Sequence, residues 1–342
     1  MENTYWKNRK VLVTGGMGFI GSHFVEELLT MQCDVTCVDF HCEKTLFDSL
    51  NIPSGNLSLA DVDLQDTEAV QKVVSGHDLI INCAALDGNA EFKAKNAARI
   101  LDVNMKIVSN ILNAAQQGGV QDVVLLSSAE VYPASAQSPI KEDDDYRVNF
   151  DNLQNGYALS KRYAELLADL YSKQYGLHIY LPRPTNVYGP RDNFGDQSSR
   201  VIPGMLKKVL SGKAIELWGD GKQVRNFVYV KDLVHMILAT VQAGVVGRIN
   251  IATDEPITIL ELAQIIAYVA NKQPSITLLT EKPAGIKERV LDTAEINVTI
   301  DFVPQPLKEG LIATLVWYAQ KNTSTPNFVL TENLISRPAR HI

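Results

Sequence analysis

A phenol and an ammonium stand one helical turn apart in the segment from Tyr157 to Lys161, YALSK. Positions i and i+4 share one face of a helix, so the two side chains would point the same way. A nearby Lys⁺ stabilises phenolate, so we expect the pKa of Tyr157 to be lowered toward the range useful for proton transfer. The spacing recurs from Tyr268 to Lys272, where we predict a structural role because no Ser-bearing strand end precedes it.

A hydroxyl and a carboxylate follow the apolar run Val123–Leu126, in the order Ser127-Ser128-Ala129-Glu130. In a parallel sheet the carboxyl ends of the strands lie on one side, so Ser128, Tyr157 and Lys161 are expected to meet there. Glu130 has two interpretations that both stay open: a catalytic acid/base or a loop carboxylate facing solvent.

A glycine-rich turn, TGGMGFIG, starts at Thr14 between an apolar run and an amphipathic segment. Glycines let the backbone approach a pyrophosphate, and the helix that follows offers free N–H groups to it. An acid at Asp39 would accept hydrogen bonds from both ribose hydroxyls and repel a 2′-phosphate, which favours NAD over NADP. The contacts predicted from this turn are Gly15, Gly18, Phe19, Ile20 and Gly21.

Further cofactor contacts are predicted where later strands end. Asp63 and Leu64 would flank the adenine, although an ordinary helix-capping region is the alternative. Ala84 and Ala85 follow an apolar strand with side chains small enough for close approach. Asn104, together with Tyr157 and Lys161, completes the predicted set.

Short apolar runs alternate with helical patterns up to about residue 185, which predicts an α/β fold: a Rossmann-type, doubly wound parallel sheet covered by helices on both faces. We expect an NAD-binding domain over residues 1–185, to which some later segments return. A smaller mixed α/β substrate domain would cover residues 186–321. The tail, residues 322–342, shows little periodicity and is expected to be extended or partly disordered.

Composition restricts the partners. The net charge of −7 over 342 residues gives no concentrated basic face, so no nucleic-acid partner is expected. The acidic run Glu142–Asp145 is typical of a solvated loop, and no metal site is predicted. No stretch of 18 apolar residues and no apolar leader segment is present, so we expect a cytoplasmic protein without membrane contact. The four cysteines lack paired spacing and are expected to be reduced.

These motifs together resemble the extended short-chain dehydrogenases/reductases, specifically the NAD-dependent epimerase/dehydratase family that modifies nucleotide sugars. The similarity runs over about residues 10–320. The matching motifs, in order, are TGGMGFIGSH (14–23), Asp39, Asp63-Leu64, the set Ser128, Tyr157 and Lys161, RPTNVYGP (183–190), GDGKQVRNFVYVKDL (219–233) and TILELAQII (258–266).

The resemblance implies a shared first step. Tyr157, as phenolate, takes the proton of a sugar hydroxyl, usually at C4, while hydride passes to NAD. Ser128 hydrogen-bonds the same oxygen, and Lys161 also holds the nicotinamide ribose. It further implies a nucleotide-diphosphate sugar substrate and a homodimer formed by the predicted helices Arg99–Gln117 and Tyr157–Tyr175. The implied substrate contacts are Asn186, Arg200, Val201, Arg225 and Arg289.

Several fates of the 4-keto sugar remain open. Epimerisation is ranked first because rotation and hydride return need no further base, and UDP-glucuronate decarboxylation is ranked second. A 4,6-dehydratase, ranked third, is disfavoured because Ala129 stands where that group carries a proton donor beside Glu130. A 3,5-epimerase/reductase of the fucose-synthase type ranks low, since its usual reductant, NADPH, conflicts with Asp39. A silent NAD-binding regulator and an NADP-dependent carbonyl reductase rank lower still.

Overall fold

The computed structural model describes residues 4–50, 54–145, 155–195, 200–282 and 285–322. The predicted tail beyond Asn322 lies outside them. Within these ranges the strands are β1 (Lys10–Thr14), β2 (Asp34–Asp39), β3 (Leu57–Asp61), β4 (Leu79–Asn82), β5 (Asp122–Leu125), β6 (His178–Pro184), β7 (Asn186–Tyr188), β8 (Ile215–Trp218), β9 (Val224–Arg225), β10 (Phe227–Tyr229), β11 (Gly247–Ile251), β12 (Ile257–Thr258), β13 (Ile276–Leu279) and β14 (Glu288–Arg289).

The helices in the same ranges are α1 (Phe19–Thr30), α2 (Lys44–Asp48), α3 (Thr67–Val74), α4 (Ala90–Lys95), α5 (Ala97–Gly118), α6 (Gly156–Tyr175), α7 (Val201–Leu210), α8 (Val230–Gln242), α9 (Ile259–Val269), α10 (Ala294–Thr299) and α11 (Leu307–Lys321). One 3₁₀ turn, Ser54–Asn56, precedes β3, and another, Ala129–Val131, follows β5. The predicted helices Arg99–Gln117 and Tyr157–Tyr175 correspond to α5 and α6.

The central sheet has seven strands in the order β11-β6-β5-β4-β1-β2-β3. All neighbouring pairs in it are parallel. The predicted Rossmann-type α/β fold is therefore confirmed. The central strands β1, β4 and β5 are apolar at successive positions because both faces of a parallel sheet are covered by helices.

Two cores cover the faces of the sheet, and alternate residues of one strand serve both. Val11 and Val13 of β1 pack with α1 and α8, whereas Leu12 points to the opposite core, built with α3, α5 and α6. This alternation follows from the two-residue period of a strand. The helices α5 and α6 that bear several predicted site residues are thus fixed against the sheet.

Segments from the second half of the chain complete the sheet. Strand β11 pairs with β6, and α8 packs in the core that also holds α1. Other later elements form a third apolar cluster, to which α7, α9 and α11 contribute Leu206, Leu262 and Leu311. This cluster stands beside the carboxyl ends of the strands and supplies one wall of the cavity described below.

Within the described ranges, no helix has the length and apolar character needed to cross a membrane. The same ranges contain no cluster of His, Cys, Asp and Glu suited to a metal ion. All four cysteines are free thiols, and burial raises the pKa of both Cys33 and Cys83 to about 12.

Candidate active site

A cavity of about 410 Å³ opens at the carboxyl ends of the central strands. Small-molecule sites typically fall in the range of roughly 300–1,000 Å³. Its walls include three predicted catalytic residues and all the predicted substrate contacts: Ser128, Glu130, Tyr157, Asn186, Arg200, Val201, Arg225 and Arg289. The structure therefore brings together residues that are up to about 160 positions apart in sequence. The parallel-sheet argument predicts the meeting of Ser128 and Tyr157, whereas the substrate contacts follow from the family resemblance.

Helix α6 positions the phenol and the ammonium. Asn155 caps this helix: its Oδ1 accepts hydrogen bonds from the N–H groups of Tyr157 and Ala158, both at 3.1 Å. Lys161, one turn further on, donates to the main-chain oxygen of Leu126 at 2.6 Å, and its Nζ lies 5.5 Å from the Tyr157 ring centroid. The hydrogen bond to the end of β5 fixes the ammonium behind the cavity.

The pKa of Tyr157 shifts opposite to the sequence-based expectation. Burial raises it well above 10, and the charges of Asp87 and Glu130 raise it further, whereas Arg200 and a hydrogen bond with Ser128 act in the lowering direction. The prediction of a lowered pKa was wrong for the chain by itself, because desolvation and two carboxylates outweigh the neighbouring cations. Burial also lowers the pKa of Lys161 to about 8. Tyr157 is therefore a neutral phenol at physiological pH.

Glu130 is held on both of its oxygens. Lys93 donates to Oε1 at 2.6 Å, and the Nδ2 of Asn155 donates to Oε2 at 3.0 Å. The main-chain N–H of Glu130 donates to Ser128 Oγ at 3.1 Å, which fixes the 3₁₀ turn at the strand end. Its side chain is 31% exposed, so it is neither fully solvated nor buried. The carboxylate lines the cavity, in contrast to the interpretation as a solvent-facing loop residue.

Two residues that sequence reasoning missed, Asp87 and Lys93, also line the cavity. Lys93 Nζ lies 3.1 Å from Asp87 Oδ1 and 4.1 Å from the centroid of the Tyr157 ring. Both follow β4 at the carboxyl end of the sheet, and this position is the signal that would have found them. Helix α4, which carries Lys93, is short and polar, so it has no clear periodicity in the sequence.

Arg200 extends this charged wall. Its Nη2 lies 3.3 Å from Asp87 Oδ2, and its Nη1 lies 3.7 Å from Asp192 Oδ1. Burial raises the pKa of Asp192 to about 6. Val201 begins helix α7 directly after Arg200. The side chain of Arg200 remains 48% exposed and thus accessible from the cavity.

Arg225 and Arg289 are neighbours across the β9–β14 pair. The guanidinium of Arg225 donates to the main-chain oxygens of Val224 and Ile286, both at 2.7 Å. Burial lowers the pKa of Arg225, and the charge of Arg289 lowers it further. Two adjacent guanidinium groups at a cavity wall suit an anion with several oxygens, such as a diphosphate. Asn186 lies nearby and donates to the main-chain oxygen of Asn226 at 3.1 Å.

The glycine turn has the geometry that a pyrophosphate requires. Gly15 has φ +67°, and a Cβ there would lie 2.7 Å from the N atom of Ala84. A side chain at Gly21 would collide with the main chain of Gly15. Helix α1 begins after Gly18 without a side-chain cap, so its first N–H groups are available to phosphate oxygens. Ile20, in the first turn, also lines the cavity.

Asp39 ends β2 beside this turn. Its Oδ2 accepts a hydrogen bond from Met17 N at 3.1 Å, so the carboxylate is fixed against the glycine loop. Asp63 follows β3, and its Oδ1 accepts from Gln65 N at 2.9 Å. Leu64 is buried in the core with only 6% exposure. The carboxylate of Asp39 thus stands at the carboxyl end of β2, fixed beside the glycine turn.

Asn104 supports the loop after β4. Its Oδ1 accepts from Leu86 N at 2.7 Å, and its Nδ2 donates to Leu86 O and Ser160 Oγ, both at 3.1 Å. These bonds join the segment that carries Ala84 and Ala85 to helix α6. The amide of Asn104 therefore holds the wall of the cofactor crevice in place.

Two sequence features lie away from the cavity. Tyr268, which begins the second YxxxK segment, is 62% exposed on α9 and does not line the cavity. The acidic run Glu142–Asp145 is only partly solvated, contrary to expectation. Asp145 is buried and lies 2.8 Å from Arg183 Nη2, and that guanidinium also pairs with buried Glu165.

Comparison with known proteins gives a consistent result. A family model for the NAD dependent epimerase/dehydratase family matches residues 11–252. A dTDP-4-dehydro-6-deoxy-D-allose reductase of a Streptomyces species is 41% identical over 317 residues, covering 92% of this chain and 97% of the reductase. A UDP-N-acetyl-alpha-D-glucosaminuronate decarboxylase of Bacillus cytotoxicus is 32% identical, covering 91% of this chain and 98% of the decarboxylase.

A solved structure is similar over nearly the whole chain. The UDP-N-acetylglucosamine 4-epimerase of Methanobrevibacter ruminantium, in complex with UDP-N-acetylmuramic acid, superposes with a TM-score of 0.83 at 29% identity. The match covers 92% of this chain and 99% of the epimerase. A reductase, a decarboxylase and an epimerase are thus all similar to this chain over most of their length.

Proposed function

Because the chain belongs to the NAD-dependent epimerase/dehydratase family, we propose that it reduces the keto group of a nucleotide-diphosphate 4-keto-6-deoxy sugar with NADH. NAD is its cofactor, and the glycine turn, the uncapped start of α1 and the fixed carboxylate of Asp39 suit the pyrophosphate and the ribose. The observation that carries the direction of reaction is the 41% identity to a keto-deoxy-sugar reductase over 92% of this chain, and the raised pKa of buried Tyr157 is compatible with it.

A ketone needs a proton on its oxygen as hydride reaches its carbon. The neutral phenol of Tyr157 is the proton donor at that oxygen, and Ser128 lies beside it in the same cavity wall. Lys161, cationic below about pH 8, stabilises the phenolate that remains. NADH supplies the hydride when bound. The 41% identity to a keto-deoxy-sugar reductase favours the same direction.

The substrate's diphosphate is assigned to Arg225 and Arg289, with Asn186 beside them. Their adjacency across β9 and β14 suits the spacing of phosphate oxygens, and each guanidinium stays charged throughout the physiological range. Arg200 and Val201 face the part of the cavity nearer Tyr157, and we assign them to the sugar.

A nucleotide-sugar epimerase, which the sequence analysis ranks first, is the second candidate. The 0.83 TM-score to a UDP-N-acetylglucosamine 4-epimerase supports it, and the same Ser128, Tyr157 and Lys161 would serve oxidation followed by reduction. The 32% identity to a decarboxylase keeps decarboxylation below these two. Epimerisation and decarboxylation both begin with oxidation of the sugar, for which Tyr157 must first become phenolate. Burial raises the pKa of Tyr157 and so opposes this ionisation.

We also propose a homodimer through α5 and α6. Helix α6 exposes Leu166, Leu170 and Tyr175, with Leu170 60% exposed. Leu166 and Leu170 are four positions apart and share a face of the helix. An apolar stripe of this kind on a surface helix indicates a contact surface.

The experiment is an assay of the purified protein on a panel of dTDP-, UDP- and GDP-sugars and their 4-keto-6-deoxy forms, with NADH or NAD, followed by mass and NMR identification of the product. Stoichiometric NADH consumption and a product heavier by two hydrogens support the reductase. An isomer of unchanged mass formed without net cofactor turnover supports the epimerase. Loss of CO2 from a uronate sugar identifies a decarboxylase.

A further inference from the structure

The ammonium of Lys93 forms a short ion pair with the carboxylate of Glu130. The Nζ–Oε1 distance is 2.6 Å, and Lys93 is itself tied to Asp87 Oδ1 at 3.1 Å. The Lys93 side chain is only 17% exposed, so solvent competes weakly for these contacts. Lys93 therefore holds Glu130 at one defined position in the cavity wall.

The second oxygen of the carboxylate is held as well, by Asn155 at 3.0 Å. A carboxylate accepts a proton from carbon only if an oxygen lone pair points at that hydrogen within contact distance. Each oxygen keeps one further lone pair, whose direction is fixed by these two bonds, so re-aiming it at a sugar hydrogen would require Glu130 to rotate and break its bond to Lys93 or to Asn155. In a partly buried site, each broken charge-assisted bond is a substantial cost.

The restraint on Glu130 affects the chemistry when a 4-keto sugar occupies the cavity. The hydrogens on the carbons next to a carbonyl are acidic, because the carbanion left behind is an enolate. Glu130 and the proposed carbonyl site at Ser128 and Tyr157 line the same cavity. An unrestrained carboxylate there could remove such a hydrogen as a proton. Return of the proton to the opposite face of the same carbon would invert the configuration at that carbon.

We propose that Lys93 determines the specificity of the reaction by restraining Glu130, so that the enzyme transfers hydride at the carbonyl carbon without exchanging the protons on its neighbours. This inference rests on the proposed function, since it requires a keto sugar in the cavity. Lys93 Nζ also lies 4.1 Å from the centroid of the Tyr157 ring, so the restraint on Glu130 stands beside the ring of the proposed proton donor.

The test is proton exchange in deuterated solvent. Wild type, Lys93→Met, Lys93→Arg and the double variant Lys93→Met/Glu130→Gln are incubated with a dTDP-4-keto-6-deoxy sugar and NAD, without reductant. Deuterium at the carbons beside the carbonyl is measured by NMR and corrected for a reaction without enzyme. NADH oxidation with the same substrate is measured in parallel.

We expect Lys93→Met to incorporate deuterium at least about tenfold faster than wild type, because Glu130 is released. Lys93→Arg should stay near wild type, since a cation still reaches the carboxylate, and the double variant should lose the gained exchange. Exchange in Lys93→Met equal to wild type, or exchange that persists in the double variant, would overturn the inference. If wild type fails to oxidise NADH with every keto sugar, the proposed function itself fails, and the two failures are thereby distinguished.

Discussion

Lys161 donates its hydrogen bond to the main-chain oxygen of Leu126 at 2.6 Å, and its Nζ stands 5.5 Å from the centroid of the Tyr157 ring. The ammonium is thus anchored to the end of β5. Tyr157 meanwhile experiences burial and the charges of Asp87 and Glu130, which raise its pKa. This arrangement keeps the phenol protonated until a substrate oxygen arrives, as a proton donor in carbonyl reduction requires.

Replacing Tyr157 with Phe should lower kcat for keto-sugar reduction by about 10²- to 10⁴-fold, the usual contribution of a positioned general acid. Steady-state kinetics with NADH measures the change. The matched control is Tyr268→Phe, at the exposed copy of the YxxxK spacing, which should leave kcat unchanged. Full turnover by Tyr157→Phe would remove Tyr157 from the mechanism.

The pH profile should reflect Lys161. Its pKa is lowered to about 8, so the ammonium is present below that pH and is lost as the pH rises through it. Because the phenolate formed at Tyr157 then loses a nearby cation, kcat/KM for reduction should fall above about pH 8. In Lys161→Arg, which stays charged throughout this range, the rate should be lower overall and this descending limb should disappear. A wild-type profile that stays flat through this region would contradict the assignment.

Arg225→Lys should raise KM for the nucleotide sugar on the order of tenfold while changing kcat little, because a lysine keeps the charge and loses the planar fork. Substrate-saturation curves separate the two parameters. Lys287→Ala is the control, since it removes one positive charge from an exposed position in the segment leading to β14. Because Arg225→Lys keeps the charge, an unchanged KM in Arg225→Lys together with a raised KM in Lys287→Ala would indicate a general electrostatic effect in place of a bidentate phosphate contact.

Arg183→Met should destabilise the fold by about 3–5 kcal/mol, because it leaves the buried carboxylates of Glu165 and Asp145 without their fully buried cation. Urea unfolding gives the difference. Lys106→Met breaks an exposed i,i+4 pair with Asp102 and should cost less than about 0.5 kcal/mol. Equal losses of unfolding free energy in the two variants would mean that the buried ion pairs of Arg183 contribute no more to stability than the exposed pair of Lys106.

Leu170→Glu should convert the proposed homodimer to a monomer, because a charge would replace an exposed apolar side chain on α6. Sedimentation velocity on wild type and variant measures the mass. Val298→Glu alters an 86% exposed apolar residue on α10 and should have no effect. A monomeric wild type would refute the dimer.

The nucleotide-binding half could be predicted well from sequence because its signals are local. The glycines of the turn are required by backbone geometry at Gly15 and Gly21, and the strands appear as apolar runs bounded by turn residues. Asp39 follows the second of these runs, so its position needs no knowledge of distant contacts. The rule that parallel strands end on one side likewise predicts that Ser128 and Tyr157 meet. Arg225 and Arg289 lie on strands outside the central sheet and followed only from the family resemblance.

The electrostatics could not be predicted in the same way. The acidic run at 142–145 has the composition of a solvated loop, and only its pairing with Arg183, about 40 positions later, explains why Asp145 is buried. The pKa of Tyr157 depends on Asp87, which is 70 positions away, and on desolvation by the assembled walls. Such effects arise from three-dimensional neighbours, whereas sequence spacing reports only neighbours along one helix or strand.

Asn155 uses the two ends of one amide for two different tasks: its oxygen starts the helix that carries Tyr157, and its nitrogen holds Glu130. Aspartate would keep the first contact but set a second negative charge against Glu130, and serine could cap the helix with no group left to donate across the gap. The residue at position 155 therefore controls two features of the cavity at once: the start of the helix that orients Tyr157, and one of the two bonds that restrain Glu130.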